Sequence, residues 1–387
     1  MDIARIQEAL RRENLDGWLF FDHHQRDPLA YRVLGFQPTR HVTRRWYYMI
    51  PADGDPVGIV HRIESGVLNS TPGEKIAYSS WREQHAALER ILKGKHRIAM
   101  QYSPGCAVPY VAMVDAGTVE LVRSYGVDII TSAELIQEFE ACLTETQFQS
   151  HLEAGKIVDT IRAGAFQLIG ERLSAGIGEV EVRDWVRAEF SKSGLVADSG
   201  PIVGVNAHAG DPHYEPMPET SSPIRPGDVV LLDMWAKFDR PGAIFYDITW
   251  TGFCGDAPDH VRNIFNIVTG ARDAAINRVT SAIANGEDLR GYHVDDACRA
   301  HIQASGYGEW FVHRTGHSIG EEVHGTGANM DNLETHDERR VVPGALFSIE
   351  PGIYLPEFGI RSEINMYVSK DSARVTGAIQ RELVRIG

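Results

Sequence analysis

Apolar and polar positions along this chain recur with two periods, and the places where one gives way to the other mark its elements. Ile3, Ile6 and Leu10 repeat at helical spacing, and after Asp16 and Gly17 the apolar run WLFF reads as a buried strand. WYYMI and VGIVH, joined by the turn-forming PADGDP, read as a hairpin, and RIAM and VDII as further short strands. Residues 1–143 are therefore expected to form an α/β domain, with the aromatic run Trp46, Tyr47 and Tyr48 in its core. A second domain, residues 144–387, is expected to open at TETQ, where Thr144 and Gln147 match a capping box. Phe148, Leu152, Ile157, Ile161, Leu168 and Ile169 follow at near-helical spacing, then Val182, Trp185, Val186 and Phe190 on one face of a second helix. A long helix after Asp259 should end at Asn285 and Gly286, and Val294 to Ser305 should form one more. Strand-like runs lie between and after them: VVLLDMW, FYDITWTGF, ALFSIE and INMYV.

Composition narrows the partners. The chain has 387 residues, more than one core usually serves, which agrees with two domains. A formal net charge of -15 repels phosphate backbones and anionic lipid, so neither nucleic acid nor a membrane surface is an expected partner. Cys106, Cys142, Cys254 and Cys298 lie far apart without CxxC spacing, which argues against a zinc ribbon or a disulfide framework and for reduced thiols in the cytoplasm. Charged residues interrupt the N-terminal apolar runs before a signal-peptide core could form, and no run approaches a membrane span. A cytoplasmic protein is the expectation.

The chemistry is concentrated in carboxylates set within apolar runs. Asp233 and Asp247 lie on consecutive strands joined through Pro241 and Gly242, so the two carboxylates are expected to face each other across an antiparallel hairpin. Val229, Leu231, Asp233 and Trp235 should share one face, as should Asp247, Thr249 and Thr251. Glu350 ends ALFSI before a Pro-Gly turn, and Glu363 is placed two residues beyond Arg361 on the same strand face. A carboxylate in such a setting is costly unless paired or ligated. His317 lies in HRTGHSIG, where glycines permit close backbone approach. Four carboxylates and one neutral imidazole balance about two divalent ions. Oxygen-rich ligation with one nitrogen suits manganese, cobalt or zinc.

The series LLDMWAK, YDITWTG, HRTGHSIGEEVH, SIEPGIY and IRSE resembles the five-part metal signature of the pita-bread metallopeptidases of M24 type, which include Xaa-Pro dipeptidases (prolidases), Xaa-Pro aminopeptidases and methionine aminopeptidases. The resemblance implies an α/β N-terminal domain like that of prolidases and creatinases, followed by an α+β pita-bread catalytic domain. It implies that Asp233 binds one metal, that Asp247 and Glu363 bridge both, and that His317 and Glu350 complete the other shell. His213, in GDPHYEP, resembles the histidine beside the substrate, His324 the one that contacts the scissile carbonyl, and Arg361 the arginine next to the last glutamate in proline-handling members. Arg361 is then expected to meet a substrate carboxylate or to brace Glu363. The metals would activate a water and polarise the carbonyl, Glu350 would pass the proton to the leaving nitrogen, and His213 and His324 would stabilise the oxyanion, a role worth about 2.7 to 4 kcal/mol per donor in other hydrolases.

The expected activity is hydrolysis of the Xaa-Pro bond in dipeptides or short peptides by a homodimer. An Xaa-Pro aminopeptidase acting on longer peptides, or a non-catalytic pita-bread binding protein, are the alternatives. Three departures from the family pattern stand out. Asp233 and Asp247 are fourteen positions apart, a few more than usual; Trp250 stands where arginine is common; Gly325 stands where an acidic residue is usual. The last two bear on substrate specificity. His208, His293, His301, His313 and His336 are expected to be structural.

Overall fold

The first expected helix forms as α1 (Ile3–Arg12), its N-terminus capped by the Asp2 carboxylate, in the computed structural model, which describes residues 1–36 and 42–387. The chain divides into two compact units, Met1–Glu140 and Ala141–Gly387. In the first, six strands, β1 (Gly17–Asp22), β2 (Trp46–Pro51), β3 (Val57–His61), β4 (Glu74–Tyr78), β5 (Arg97–Met100) and β6 (Asp128–Thr131), make one sheet in the order β4-β3-β2-β1-β5-β6. The expected hairpin is β2 and β3, antiparallel with Tyr48 opposite Gly58. Strand β1 is buried along its whole length because both faces of the sheet are covered. Trp18 and Phe20 pack with Ile6 and Leu10 of α1 and with α2 (Pro28–Leu34); Leu19 and Phe21 pack with α3 (Trp81–Leu92) and α4 (Ala116–Arg123). Trp46 and Tyr48 join the first cluster and Tyr47 the second, so the aromatic run is core on both sides.

A short helix, α5 (Ala133–Ile136), ends this unit, and the second begins with α6 (Glu145–Arg172). The capping box at its start is complete: the Thr144 amide donates to Gln147 Oε1 at 2.9 Å and the Gln147 amide to Thr144 Oγ1 at 3.3 Å. Next come β7 (Ile177–Gly178), α7 (Glu179–Lys192), β8 (Leu195–Val196), β9 (Ile202–Val205), β10 (Pro223–Ile224) and the long hairpin β11 (Val229–Phe238) and β12 (Tyr246–Cys254). The hairpin's two faces differ in kind. Val230, Leu232, Met234, Ala236, Tyr246 and Ile248 pack on Val158, Ile161 and Phe166 of α6 and on Val182, Val186 and Phe190 of α7. The opposite face carries Asp233, Trp235, Asp247, Thr249 and Thr251, as strand alternation predicts. Register corrects one detail. Asp233 pairs with Thr249, and Asp247 with Trp235, so the two carboxylates are diagonal neighbours on one face rather than directly opposite.

Helix α8 (Asp259–Asn285) stops at Gly286, which takes the left-handed conformation at φ 67 as a C-cap glycine does, and α9 (Gly291–Ala304) follows. Both pack under β13 (Leu346–Ile349), β14 (Gly352–Tyr354), β15 (Gly359–Arg361) and β16 (Ile364–Val368) through one cluster that includes Val268, Val279, Val294, Phe347, Ile353 and Ile360. β16 lies between β13 and β17 (Ala373–Val375), β14 pairs with β15, and β18 (Val384–Ile386) runs parallel to β12. Glu363 lies in the step between β15 and β16, where its amide donates to the Thr249 carbonyl, rather than continuing the Arg361 strand as the sequence suggested. The architecture is thus a mixed α/β N-terminal domain followed by an α+β pita-bread domain.

Candidate metal centre

Each acidic side chain reaches the site from a backbone fixed elsewhere. Asp247 is clamped by Asn365 of β16, whose side chain accepts the Asp247 amide at 3.1 Å and donates to its carbonyl. Glu350 follows β13, and its amide donates to the Thr315 carbonyl at 2.7 Å. His317 is held against the same strand: its amide donates to Ser348 Oγ at 3.0 Å, and its carbonyl accepts the Ser348 amide at 2.8 Å. That approach demands Gly316, because a Cβ there would stand 1.9 Å from the Ser348 carbonyl oxygen. Behind this segment Asp295 of α9, fully buried, accepts from the Thr315 amide at 2.9 Å and its hydroxyl at 2.7 Å.

Asp247, His317 and Glu363 are all buried, and each offers a ligand atom within 4.8 Å of the others. Glu350 joins them through His317: Nε2 of the imidazole is 3.4 Å from Glu350 Oε1 and 3.5 Å from Asp247 Oδ2. Nδ1 of the same ring is 3.1 Å from the Ser318 carbonyl oxygen, which can only accept, so Nδ1 carries the hydrogen. Burial pushes the ring toward its neutral form, which leaves a lone pair on Nε2 pointing at two carboxylates. Acceptors converging on acceptors need a cation between them. Asp247 Oδ1 is buried with no hydrogen-bond partner, which fits the same requirement.

Electrostatics agree. Burial, then the Glu350 charge, hold the Asp247 carboxyl well above its ordinary range, and burial, then Asp247, Glu350 and Asp233, do so for Glu363. Asp233 is pushed up to about 7 by burial, with Asp247 and Glu350 adding and Arg361 opposing. Burial also raises Glu350, but His317, His313, Arg361 and Arg314 together outweigh it and hold that carboxyl low. Carboxylates so crowded ionise fully only when a cation neutralises them.

Arg361 is 3% exposed and all three of its nitrogens are engaged by protein: Nε with Thr249 Oγ1 at 3.0 Å, Nη1 with the Tyr354 hydroxyl at 3.1 Å, and Nη2 with Asp233 Oδ2. Of the two uses expected for it, bracing is what these contacts describe. The Thr249 hydroxyl in turn donates to Glu363 Oε2 at 2.8 Å, so one threonine links the arginine to a second carboxylate. His324 stands at the rim, exposed, its ring edge-on to His317 with centroids 4.4 Å apart. His213 is exposed on the loop after Asn206–Gly210, its amide donating to Asp211 Oδ1 at 3.1 Å, and among the described residues no hydrogen bond or ring contact joins it to the cluster.

Sequence reasoning passed over Tyr354, Asn365, Ser348 and Asp295, put Thr249 on the Asp247 face without giving it a role, and placed His313 among the structural histidines. In the fold His313 Nδ1 is 2.7 Å from the Arg314 carbonyl, so Nε2 accepts the Tyr354 hydroxyl at 2.6 Å and extends the Arg361 chain. The usable signal was alternation: Thr249 shares the face of Asp247, and Tyr354 follows Glu350 within one turn and strand. The two specificity-related departures resolve differently. Trp250 points to the α6 side, where the Arg162 guanidinium lies 3.5 Å from its ring centroid, away from the acids. Gly325 is required where it stands, since a Cβ would come 2.8 Å from Ser318 Oγ and 3.2 Å from the Gly320 amide.

Comparison with known proteins agrees with this geometry. The chain is similar to the protein named "Probable dipeptidase PepE" of Mycobacterium tuberculosis, 25% identical over 342 residues that cover 87% of this chain and 84% of the other. It is 28% identical over 254 residues to the Xaa-Pro dipeptidase of Lactobacillus delbrueckii subsp. lactis, covering 65% of this chain and 64% of that one. Among solved structures, dipeptidase PepE from Mycobacterium ulcerans superposes with a TM-score of 0.72 at 22% identity, over 99% of this chain and 96% of the other, and so shares its fold. The prolidase from Pyrococcus horikoshii does so at 0.65 and 22%, over 99% of each. The pattern of Metallopeptidase family M24 matches residues 149–370, a span that includes Asp233, Asp247, His317, Glu350 and Glu363, and the chain belongs to that family.

Proposed function

We propose that this metallopeptidase is a prolidase-like exopeptidase that cleaves the Xaa-Pro bond of dipeptides or short peptides, using two divalent ions, manganese, cobalt or zinc, held by Asp233, Asp247, His317, Glu350 and Glu363. The observation that carries the reading is the His317 lone pair aimed at two buried carboxylates, beside an Asp247 oxygen with no partner. The bound ions would supply Lewis acidity toward a water and toward the scissile carbonyl. Asp247 and Glu363, buried and close together, would help hold the ions. Arg361 and Thr249 fix the orientation of Asp233 and Glu363, so that the carboxylates do not swing when the substrate enters. Glu350, held below the ordinary carboxylate range and so ionised, would take a proton and deliver it to the leaving nitrogen. His324, exposed at the rim beside His317, and His213, on its loop, would donate to the developing oxyanion. A free substrate amine would meet the acidic cluster, which favours cleavage next to an N-terminus.

The dipeptidase and Xaa-Pro dipeptidase names of the relatives support the same class of substrate. Residues 1–143 would form the prolidase-type N-terminal domain and the chain would act as a cytoplasmic homodimer; no helix among the described residues is long and apolar enough to cross a membrane. The test strips metal with a chelator, restores manganese, cobalt or zinc, and offers Xaa-Pro dipeptides beside Xaa-Pro-Yaa tripeptides. Metal-dependent turnover is expected, with the preferred length separating dipeptidase from aminopeptidase. No turnover of either would refute the reading.

A further inference from the structure

Beside the acid-bearing face of the hairpin stands a carboxylate that the reaction scheme does not use. Strand β8 pairs with the outer end of β11, Val196 opposite Lys237, and β9 pairs farther in, Ile202 opposite Asp233. The segment between them, residues 197–201, must therefore pass over Trp235, which shares a face with Asp233 and pairs with Asp247. Two contacts fix it there. The Trp235 indole donates from Nε1 to Asp198 Oδ1 at 2.8 Å, and Gly200, at φ +64, lies so close to the indole that a Cβ would stand 2.4 Å from Cη2. The Gly200 carbonyl is held in addition by Arg187 Nε at 2.7 Å. Asp198 is exposed, and among the described residues its carboxylate forms no ion pair, only the indole bond and a long contact with the Ser199 hydroxyl, both on Oδ1. Oδ2 is left open to solvent.

The carboxylate is close enough to be felt at the site. Burial and Glu350 raise the Asp247 carboxyl, with Asp198 adding to that push; burial, His317 and Arg314 lower His324, with Glu350 and Asp198 opposing. Because Trp235 pairs with Asp247 across the hairpin, the indole and the Asp198 it holds border the candidate metal centre on the Asp247 side. An exposed, pre-positioned carboxylate without an ion pair, anchored by a half-buried indole, suits a cation at the end of a flexible stem. On the exopeptidase reading above, the α-amine of a substrate would be taken by the buried acids. The group left to reach Asp198 is a side chain.

We propose that Asp198 and Trp235 select a lysine or arginine as the substrate residue preceding the scissile bond. This rests on the exopeptidase reading above and names the side chain that the site prefers. Because the side chain is held alike before and during reaction, the effect belongs in KM more than in kcat.

The test uses the full chain reconstituted with metal and the dipeptides Lys-Pro, Arg-Pro, Leu-Pro and Glu-Pro. The wild type should favour Lys-Pro and Arg-Pro over Leu-Pro by about five- to twentyfold in kcat/KM, carried by KM. Asp198→Asn should collapse that ratio toward one, and Asp198→Lys should move the preference to Glu-Pro. Equal wild-type values for Lys-Pro and Leu-Pro would overturn the proposal while leaving Xaa-Pro hydrolysis intact. So would an Asp198→Asn variant that loses the same factor on every substrate, since Asp198 would then be reading the α-amine. If no Xaa-Pro peptide is turned over, the functional reading falls separately, and calorimetric binding of Lys-Ala against Leu-Ala to the wild type and Asp198→Asn decides the inference: tighter binding of Lys-Ala that the variant abolishes supports it, and equal binding overturns it.

Discussion

The two faces of the β11–β12 hairpin share one backbone and have opposite tasks. On one, Leu232, Met234 and Ile248 are buried against α6 and α7; on the other, Asp233, Asp247 and Thr249 are buried too, but among charges. Burial alone therefore does not separate core from site. What separates them is whether the buried groups satisfy one another. The apolar face closes on itself, whereas the acidic face keeps an unpartnered Asp247 oxygen and a histidine lone pair directed at carboxylates, and is complete only with a cation. Strand alternation lets one sequence write both faces, and the apolar side supplies the rigidity that holds the ligands in place.

The two faces part most sharply at Asp247. Asp247→Asn should lower kcat/KM by well over the ~100-fold expected for loss of an outer partner, and should lower metal occupancy, while circular dichroism and the Tm of the metal-free protein stay near those of the metal-free wild type. Next is the apolar face: Leu232→Ala should cost about 2–5 kcal/mol in denaturant unfolding, with kcat per folded molecule unchanged. If Leu232→Ala removed activity at full stability, the division between the faces would be wrong.

His151 tests the helix side by pH. It is fully buried, with Nδ1 donating to the Phe245 carbonyl at 2.6 Å and Nε2 accepting the Thr376 hydroxyl at 2.7 Å, and burial pushes its pKa down to about 4. The unfolded chain, near 6.5, binds the proton first, so this contribution is present above pH 6.5 and is lost as pH falls through about 4. It amounts to about 3 kcal/mol, and His151→Gln should flatten that acid slope in denaturant titrations. A smaller effect is expected at Thr249→Val, which breaks the link from Arg361 to Glu363 and should cost about 10- to 100-fold in metal affinity or activity. Least of all, Trp250→Phe should leave kcat and KM unchanged, since the ring packs beneath Arg162 on the far side of the sheet.

Much of this was legible in the sequence because local rules wrote it. The α6 capping box, the Gly286 C-cap, the PADGDP hairpin and the apolar-acidic alternation of β11 each depend on residues near one another in the chain. The five candidate ligands, of which Asp247, His317 and Glu363 come together in the fold, could be picked out because each acid sits in a buried run and the order of the runs resembles a known family. What escaped depends on distant partners. No local pattern says that Arg361 turns to Asp233, 128 positions away, or that Asn365 clamps Asp247. The diagonal placement of Asp233 and Asp247 depended on register, which the lengthened turn left open, and the resting place of Trp250 depended on which face α6 would cover.

Direct measurement of metal stoichiometry tests the central claim most closely. Wild-type protein stripped of metal, titrated calorimetrically with manganese and checked by elemental analysis, should take up two ions per chain, with Asp247→Asn retaining at most one and Xaa-Pro turnover rising with occupancy. A folded wild type that binds no divalent ion, or an Asp247→Asn variant that binds two with full activity, would contradict the account.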